Sequence, residues 1–129
     1  GLKQNFSIEV TVKTQHVSLT DEQRQLKPPV THPLVRTHPE LGRKSLYLSP
    51  AHSTGLTNLP ADEGKSLLTE LENWAARPNF TYTHEWCVGD IVMWDNTSTM
   101  HRRDAFNANA RRMLKRTGFE LPPERAIPF

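Results

Sequence analysis

Phe80-Thr81-Tyr82-Thr83-His84-Glu85-Trp86 alternates aromatic or imidazole side chains with smaller polar ones, and a period of two is the mark of a strand with one buried face. Gly89-Asp90 supplies a turn, and Ile91-Val92-Met93-Trp94 reads as a second strand. A long polar excursion from Asp95 to Asn109 follows, and Arg111 to Thr117 reads as a third strand. Strands dominate this last third of the chain, so it predicts a mainly β fold with a flanking helix, part of an antiparallel sandwich or jelly roll.

The flanking helix is expected over Pro60 to Ala76. Pro60 suits a first helical position, Asp62 and Glu63 suit the positive N-terminal end, and Pro78 stops the run. Leu67, Leu68, Leu71, Trp74 and Ala75 share one face at helical spacing, which predicts core packing. Further upstream, Phe6, Ile8, Val10 and Val12 alternate with Ser7, Glu9 and Thr11 and predict a half-buried strand. Ser18 or Thr20 caps a short helical turn through Gln25, ended by Pro28-Pro29. The stretch from Val30 to Arg43, with Pro33, Pro39 and Gly42, reads as extended or looped. Ser45 to Leu48 is a short strand candidate, and Ser49 to Asn58 a mostly polar connection.

The chain has 129 residues, 36% of them apolar and 23% charged, which fits one folded domain with a modest core. A net charge of +2 argues against a nucleic-acid partner, although Arg102, Arg103, Arg111, Arg112, Lys115 and Arg116 form one late basic cluster. The single Cys87 allows no internal disulfide, fits a reducing, cytoplasmic setting, and reads as a small apolar core residue. No apolar run approaches the roughly 18 residues of a membrane span. Gly1-Leu2-Lys3 lacks an initiator Met and reads as a cut or processed end.

Six histidines are candidates for chemistry: His16, His32, His38, His52, His84 and His101. No pair has the i, i+4 spacing of a helical zinc site, and Cys87 has no thiol partner. A non-haem iron site needs two His and one carboxylate on one face of the metal, which leaves positions for oxygen and a co-substrate. A chelating 2-oxo acid has a second, distal carboxylate, and a guanidinium fork matches it geometrically. His101 lies beyond the strand that ends at Trp94, and Arg112 follows 11 positions later. Arg116 is four residues further and would share a strand face with Arg112. Two arginines on one face are either solvated or met by anions, since an unpaired buried charge is costly.

The run Trp86-Cys87-Val88-Gly89-Asp90-Ile91-Val92-Met93-Trp94-Asp95-Asn96-Thr97-Ser98-Thr99-Met100-His101-Arg102 resembles the distal-histidine segment of the taurine and 2,4-dichlorophenoxyacetate dioxygenase (TauD/TfdA) family. Arg111-Arg112-Met113-Leu114-Lys115-Arg116-Thr117 resembles its arginine strand. His32-Pro33-Leu34-Val35-Arg36-Thr37-His38-Pro39-Glu40 and Gly42-Arg43-Lys44-Ser45-Leu46-Tyr47-Leu48 resemble another of its segments. With gaps, the resemblance runs from about Gly1 to Thr117.

The resemblance implies the C-terminal part of a double-stranded β-helix, or jelly-roll, fold. It also implies the cofactors and co-substrates Fe(II), 2-oxoglutarate and O2. By the same resemblance His101 is an iron ligand, Arg112 holds the distal carboxylate of 2-oxoglutarate, and Arg116 lies near an anionic end of substrate or co-substrate. Trp94, Asp95 and Asn96 shape the turn that delivers His101. The implied reaction hydroxylates a small organic acid (a sulfonate, an alkyl sulfate or an aryloxy acid) and releases succinate and CO2.

The family's other two ligands form a His-x-Asp or His-x-Glu pair upstream of the Val35-Arg36-Thr37-His38-Pro39 stretch. The resemblance therefore assigns residues 1–129 to the C-terminal portion of one such domain, inactive alone. His38-Pro39-Glu40 matches that spacing formally, but it belongs to a different family segment and Pro39 constrains the backbone between the two. His84 and Glu85 would point to opposite strand faces, His101 and Asp104 have the wrong spacing, and no role follows for His16, His32 or His52. Beyond Thr117 the match ends. A part of a jelly roll leaves strand edges open to pairing with another chain, which keeps a homo-oligomer in view. The alternative is a non-catalytic module in which Arg112 and Arg116 bind anions or the chain oligomerises.

Overall fold

A computed structural model describes residues 1–16, 18–107, 109–119 and 122. Its order is β1 (Lys3–Phe6), α1 (Ile8–Gln15), α2 (Asp21–Gln25), β2 (Val30–Pro33), β3 (Val35–Thr37), β4 (Lys44–Leu46), β5 (Ser53–Leu56) and α3 (Ala61–Ala75), then a 3-10 turn over Pro78–Phe80. The β1 strand is central in an antiparallel sheet ordered β2-β1-β5, with Gln4 opposite both His32 and Leu56. A second sheet is the hairpin of β3 and β4, in which Val35 faces Leu46 and Thr37 faces Lys44.

The core gathers Leu34, Leu48 and Leu68, with Leu2, Leu46, Leu56, Leu71 and Ala75 packed against it. The α3 helix therefore covers β5 and the hairpin from one side. It occupies almost the expected span, with Pro60 in extended conformation at its N-cap. One residue on its face departs from expectation. Trp74 is largely exposed and stacks instead on Phe80 at 5.9 Å and beneath Arg77 at 4.0 Å. Burying the cationic Arg77 with it would cost more than the indole gains.

The short α2 helix forms with Thr20 as its cap: Gln23 N donates to Thr20 Oγ1 at 3.2 Å, and Thr20 N donates to Gln23 Oε1 at 3.0 Å. The expected strand from Phe6 to Val12 is corrected. It ends at Phe6, and Ile8 begins α1 because Ser7 turns its hydroxyl to accept from Glu9 N at 3.2 Å. Phe6 is the last β1 residue with ladder partners, Val30 and Ser53, so the following residues take local hydrogen bonds. An Arg24–Glu9 ion pair joins the two short helices. The connection Ser49 to Asn58 contains a strand the polar composition hid. It is β5, with Gly55 at φ +132° and Asn58 in left-handed backbone at φ +65°.

The three strands expected over Phe80–Trp86, Ile91–Trp94 and Arg111–Thr117 do not form. A strand persists only while a neighbour accepts from its N–H groups and donates to its C=O groups, and none of these segments meets one among the described residues. The Gly89-Asp90 turn does form: Asp90 accepts from Cys87 N at 2.8 Å and from His84 Nε2 at 2.9 Å. Cys87, expected in the core, is exposed because this turn stands away from the leucine cluster. Glu120, Leu121 and Pro123 to Phe129, in the tail where the family pattern ends, lie outside the described residues.

Candidate functional site

The turn that carries the expected ligand is built around one carboxylate. Asp95 accepts from Thr97 N at 2.8 Å, from Thr97 Oγ1 at 2.6 Å and from Ser98 Oγ at 2.9 Å. Its carbonyl accepts from Thr99 N at 3.1 Å and from the Thr99 hydroxyl. These donors, the Thr97 hydroxyl first among them, hold the Asp95 carboxyl well below the usual carboxylate range. Trp94 donates its indole N–H to Asn96 Oδ1 at 2.8 Å. Trp94, Asp95 and Asn96 thus form one locally bonded turn.

At the end of that turn His101 stacks on Trp94, with ring centroids 4.9 Å apart. The Arg116 guanidinium lies 5.4 Å from the same indole. His101 and Arg116 therefore meet at one aromatic ring. Arg112 does not join them: it lies over Phe106 at 5.1 Å, beside Arg103 at 5.0 Å on the same ring. His101, Arg112 and Arg116 are all exposed. A surface depression along α3 past Lys65 and Arg77, and another between Phe6, Tyr47 and His52, include none of the three.

His101 supplies a single donor, and Asp104 pairs with Arg102 at 3.3 Å. Among the described residues no group of three His, Cys, Asp or Glu side chains could hold a metal ion. They do not make an iron site by themselves, and no chemical step through iron follows from them.

Two residues outside the expected set are held by the fold. Arg36 is buried in β3 with its guanidinium 3.6 Å above the Tyr47 ring, and desolvation lowers its pKa. His38 sits at the base of the β3–β4 hairpin. Its Nδ1 accepts from Glu40 N and Leu41 N, both at 3.1 Å, and its Nε2 lies 2.8 Å from Asp95 Oδ2. Both ring nitrogens are thereby engaged. Nothing in the sequence near His38 points to a partner 57 positions away.

The family model for the taurine catabolism dioxygenase TauD, TfdA family matches residues 2–117, and the chain belongs to that family of dioxygenases. Over 97 residues it is 45% identical to an alpha-ketoglutarate-dependent 2,4-dichlorophenoxyacetate dioxygenase of Burkholderia sp. (strain RASC), covering 75% of this chain and 32% of that protein. It is 37% identical over 82 residues to a (S)-phenoxypropionate/alpha-ketoglutarate-dioxygenase of Sphingobium herbicidovorans, covering 64% of this chain and 28% of that protein. A crystal structure from Burkholderia xenovorans, described as an alpha-ketoglutarate-dependent 2,4-D dioxygenase, superposes with a TM-score of 0.62. It is 44% identical and covers 68% of this chain and 34% of that one. The structure of AAD-2 in complex with Mn(II) and N-oxalylglycine superposes with a TM-score of 0.56 at 38% identity, covering 67% of this chain and 34% of that one. The chain spans about one third of the length of these relatives. Among the described residues no helix is long and apolar enough to cross a membrane.

Proposed function

We propose that this chain is the C-terminal portion of an Fe(II)- and 2-oxoglutarate-dependent dioxygenase domain of the jelly-roll type, acting in its complete form on a small organic acid. The observation that carries this is the family match over residues 2–117, which takes in both the His101 turn and the arginine segment in order. Iron would supply oxygen activation in the complete site, with two of its ligands contributed by polypeptide other than the described residues. His101 is proposed as the third ligand, Arg112 as the partner of the distal carboxylate of 2-oxoglutarate, and Arg116 as an anion contact beside His101 on Trp94. A guanidinium suits that task because its planar fork donates two parallel hydrogen bonds to a carboxylate.

Aryloxy acids are the favoured substrate class. The relatives named for 2,4-dichlorophenoxyacetate match at 45% and 46% identity, against 37% for a pentalenolactone F synthase of Streptomyces arenae and 33% for an alkylsulfatase of Acinetobacter baylyi. In the complete reaction 2-oxoglutarate would be converted to succinate and CO2 as the substrate is hydroxylated. The test is a panel of aryloxy acids, alkyl sulfates and sulfonates offered to the complete protein, read by iron-dependent succinate release. Release with an aryloxy acid supports the assignment. Binding of 2-oxoglutarate with no iron-dependent succinate from any acid would instead favour a non-catalytic anion-binding module.

A further inference from the structure

We propose that His38 is a positioning residue, a bridge of fixed tautomer that ties the Asp95 turn to the β3–β4 hairpin and so sets where His101 stands. The inference rests on the proposed function only in its last step, the use of His101. The bridge itself is argued from hydrogen bonds alone.

The hairpin loop from His38 to Arg43 is organised by the backbone and ring of His38. Its N–H donates to Arg43 O at 2.8 Å, and its C=O accepts from Gly42 N at 2.9 Å. Gly42 reaches φ +65°, a left-handed conformation that glycine adopts without cost. Two loop N–H groups, of Glu40 and Leu41, converge on Nδ1. A nitrogen that accepts cannot carry the proton, so the proton is on Nε2. That nitrogen then donates to Asp95 Oδ2 at 2.8 Å. The His38 side chain is only 10% exposed, so its ring has little freedom to turn away.

On the far side of the bridge, Asp95 already binds the donors of Thr97 and Ser98. The adjoining Trp94 ring holds His101. Four parts therefore stand in series: hairpin loop, His38 ring, Asp95 turn and Trp94–His101 stack. Among the described residues from 81 to 119 none belongs to a strand. In that setting a 57-residue hydrogen bond is a long-range tether on the segment that carries His101.

The test uses the complete protein without metal, so its outcome does not depend on turnover. Nitrogen-15 spectra of the unaltered chain should show the His38 proton on Nε2, with Nδ1 unprotonated. His38→Asn keeps an acceptor where Nδ1 stood but cannot reach Asp95. It should raise hydrogen exchange at the Thr97 and Thr99 amides by roughly tenfold and shift the Trp94 indole and His101 ring signals. The β3–β4 amides should stay protected. His38→Gln, which retains a donor near the Nε2 position, should restore most of that protection. Asp95→Ala should reproduce the His38→Asn pattern from the other end. A proton on Nδ1, or changes in His38→Asn confined to residues 38–43, would overturn the bridge. An intact bridge with no iron-dependent activity in the complete protein would overturn the functional reading and leave the bridge standing.

Discussion

Asp95 accepts from Thr97, from Ser98 and from His38, so its folded pKa is depressed from the usual 3.8. For a carboxylate lowered in this way, the stabilisation is complete above the unfolded value and is lost only as pH falls through the folded one. The Asp95 turn should therefore survive acidification through pH 3.8 and open below it. Amide shifts of Thr97 followed against pH check this, and a midpoint at the ordinary carboxylate value would contradict it. At the same scale, Arg112→Ala in the complete protein should raise the 2-oxoglutarate requirement roughly tenfold or more while leaving iron affinity nearly unchanged. Saturation curves for the two ligands separate these effects, and an unchanged 2-oxoglutarate curve would place Arg112 elsewhere. Much of this scale was legible in the sequence as residue identities. The partnership of Asp95 with His38 was not, because a hydrogen bond spanning 57 positions leaves no periodicity to read.

Among the elements, α3 and α2 were legible because local rules define them: Pro60 and Pro78 bracket the first, and Thr20 with Gln23 caps the second. The β5 strand and the end of β1 depend on distant partners; polar composition hid the first, and a period-two alternation carried the second too far. One consequence of the α3 packing is testable. Gly64 is buried on α3, and a Cβ built there would lie 3.5 Å from Leu56 Cβ, ordinary van der Waals contact. Glycine inside a helix costs about 0.5–1 kcal/mol relative to alanine. Gly64→Ala should thus stabilise the chain by about that amount in chemical denaturation, and a loss of stability would mean that α3 sits closer to β5 than described. Leu68→Ala, by contrast, removes one of the three fully packed core leucines and should cost about 2–5 kcal/mol.

For the whole molecule, the largest departure from the sequence reading is the last third. The alternation in Phe80 to Trp86 predicts a strand, yet none forms there, and Tyr82, Val88, Ile91 and Met93 are almost wholly exposed. A strand is completed by its neighbours, and among the described residues this segment has none. Such a surface should make the 129-residue chain bind apolar dyes and self-associate. Sedimentation would show it, and a dye-free monomer would contradict it. In this arrangement His101 and Arg116 share the Trp94 ring while Arg112 rests on Phe106. The measurement that tests the assignment most directly is anaerobic titration of the complete protein with Fe(II) and 2-oxoglutarate, read by the visible charge-transfer absorption of their chelate, in the unaltered protein and in His101→Ala. The unaltered protein should develop the band and His101→Ala should lose it. An undiminished band in the variant would contradict the placement of His101 at the metal.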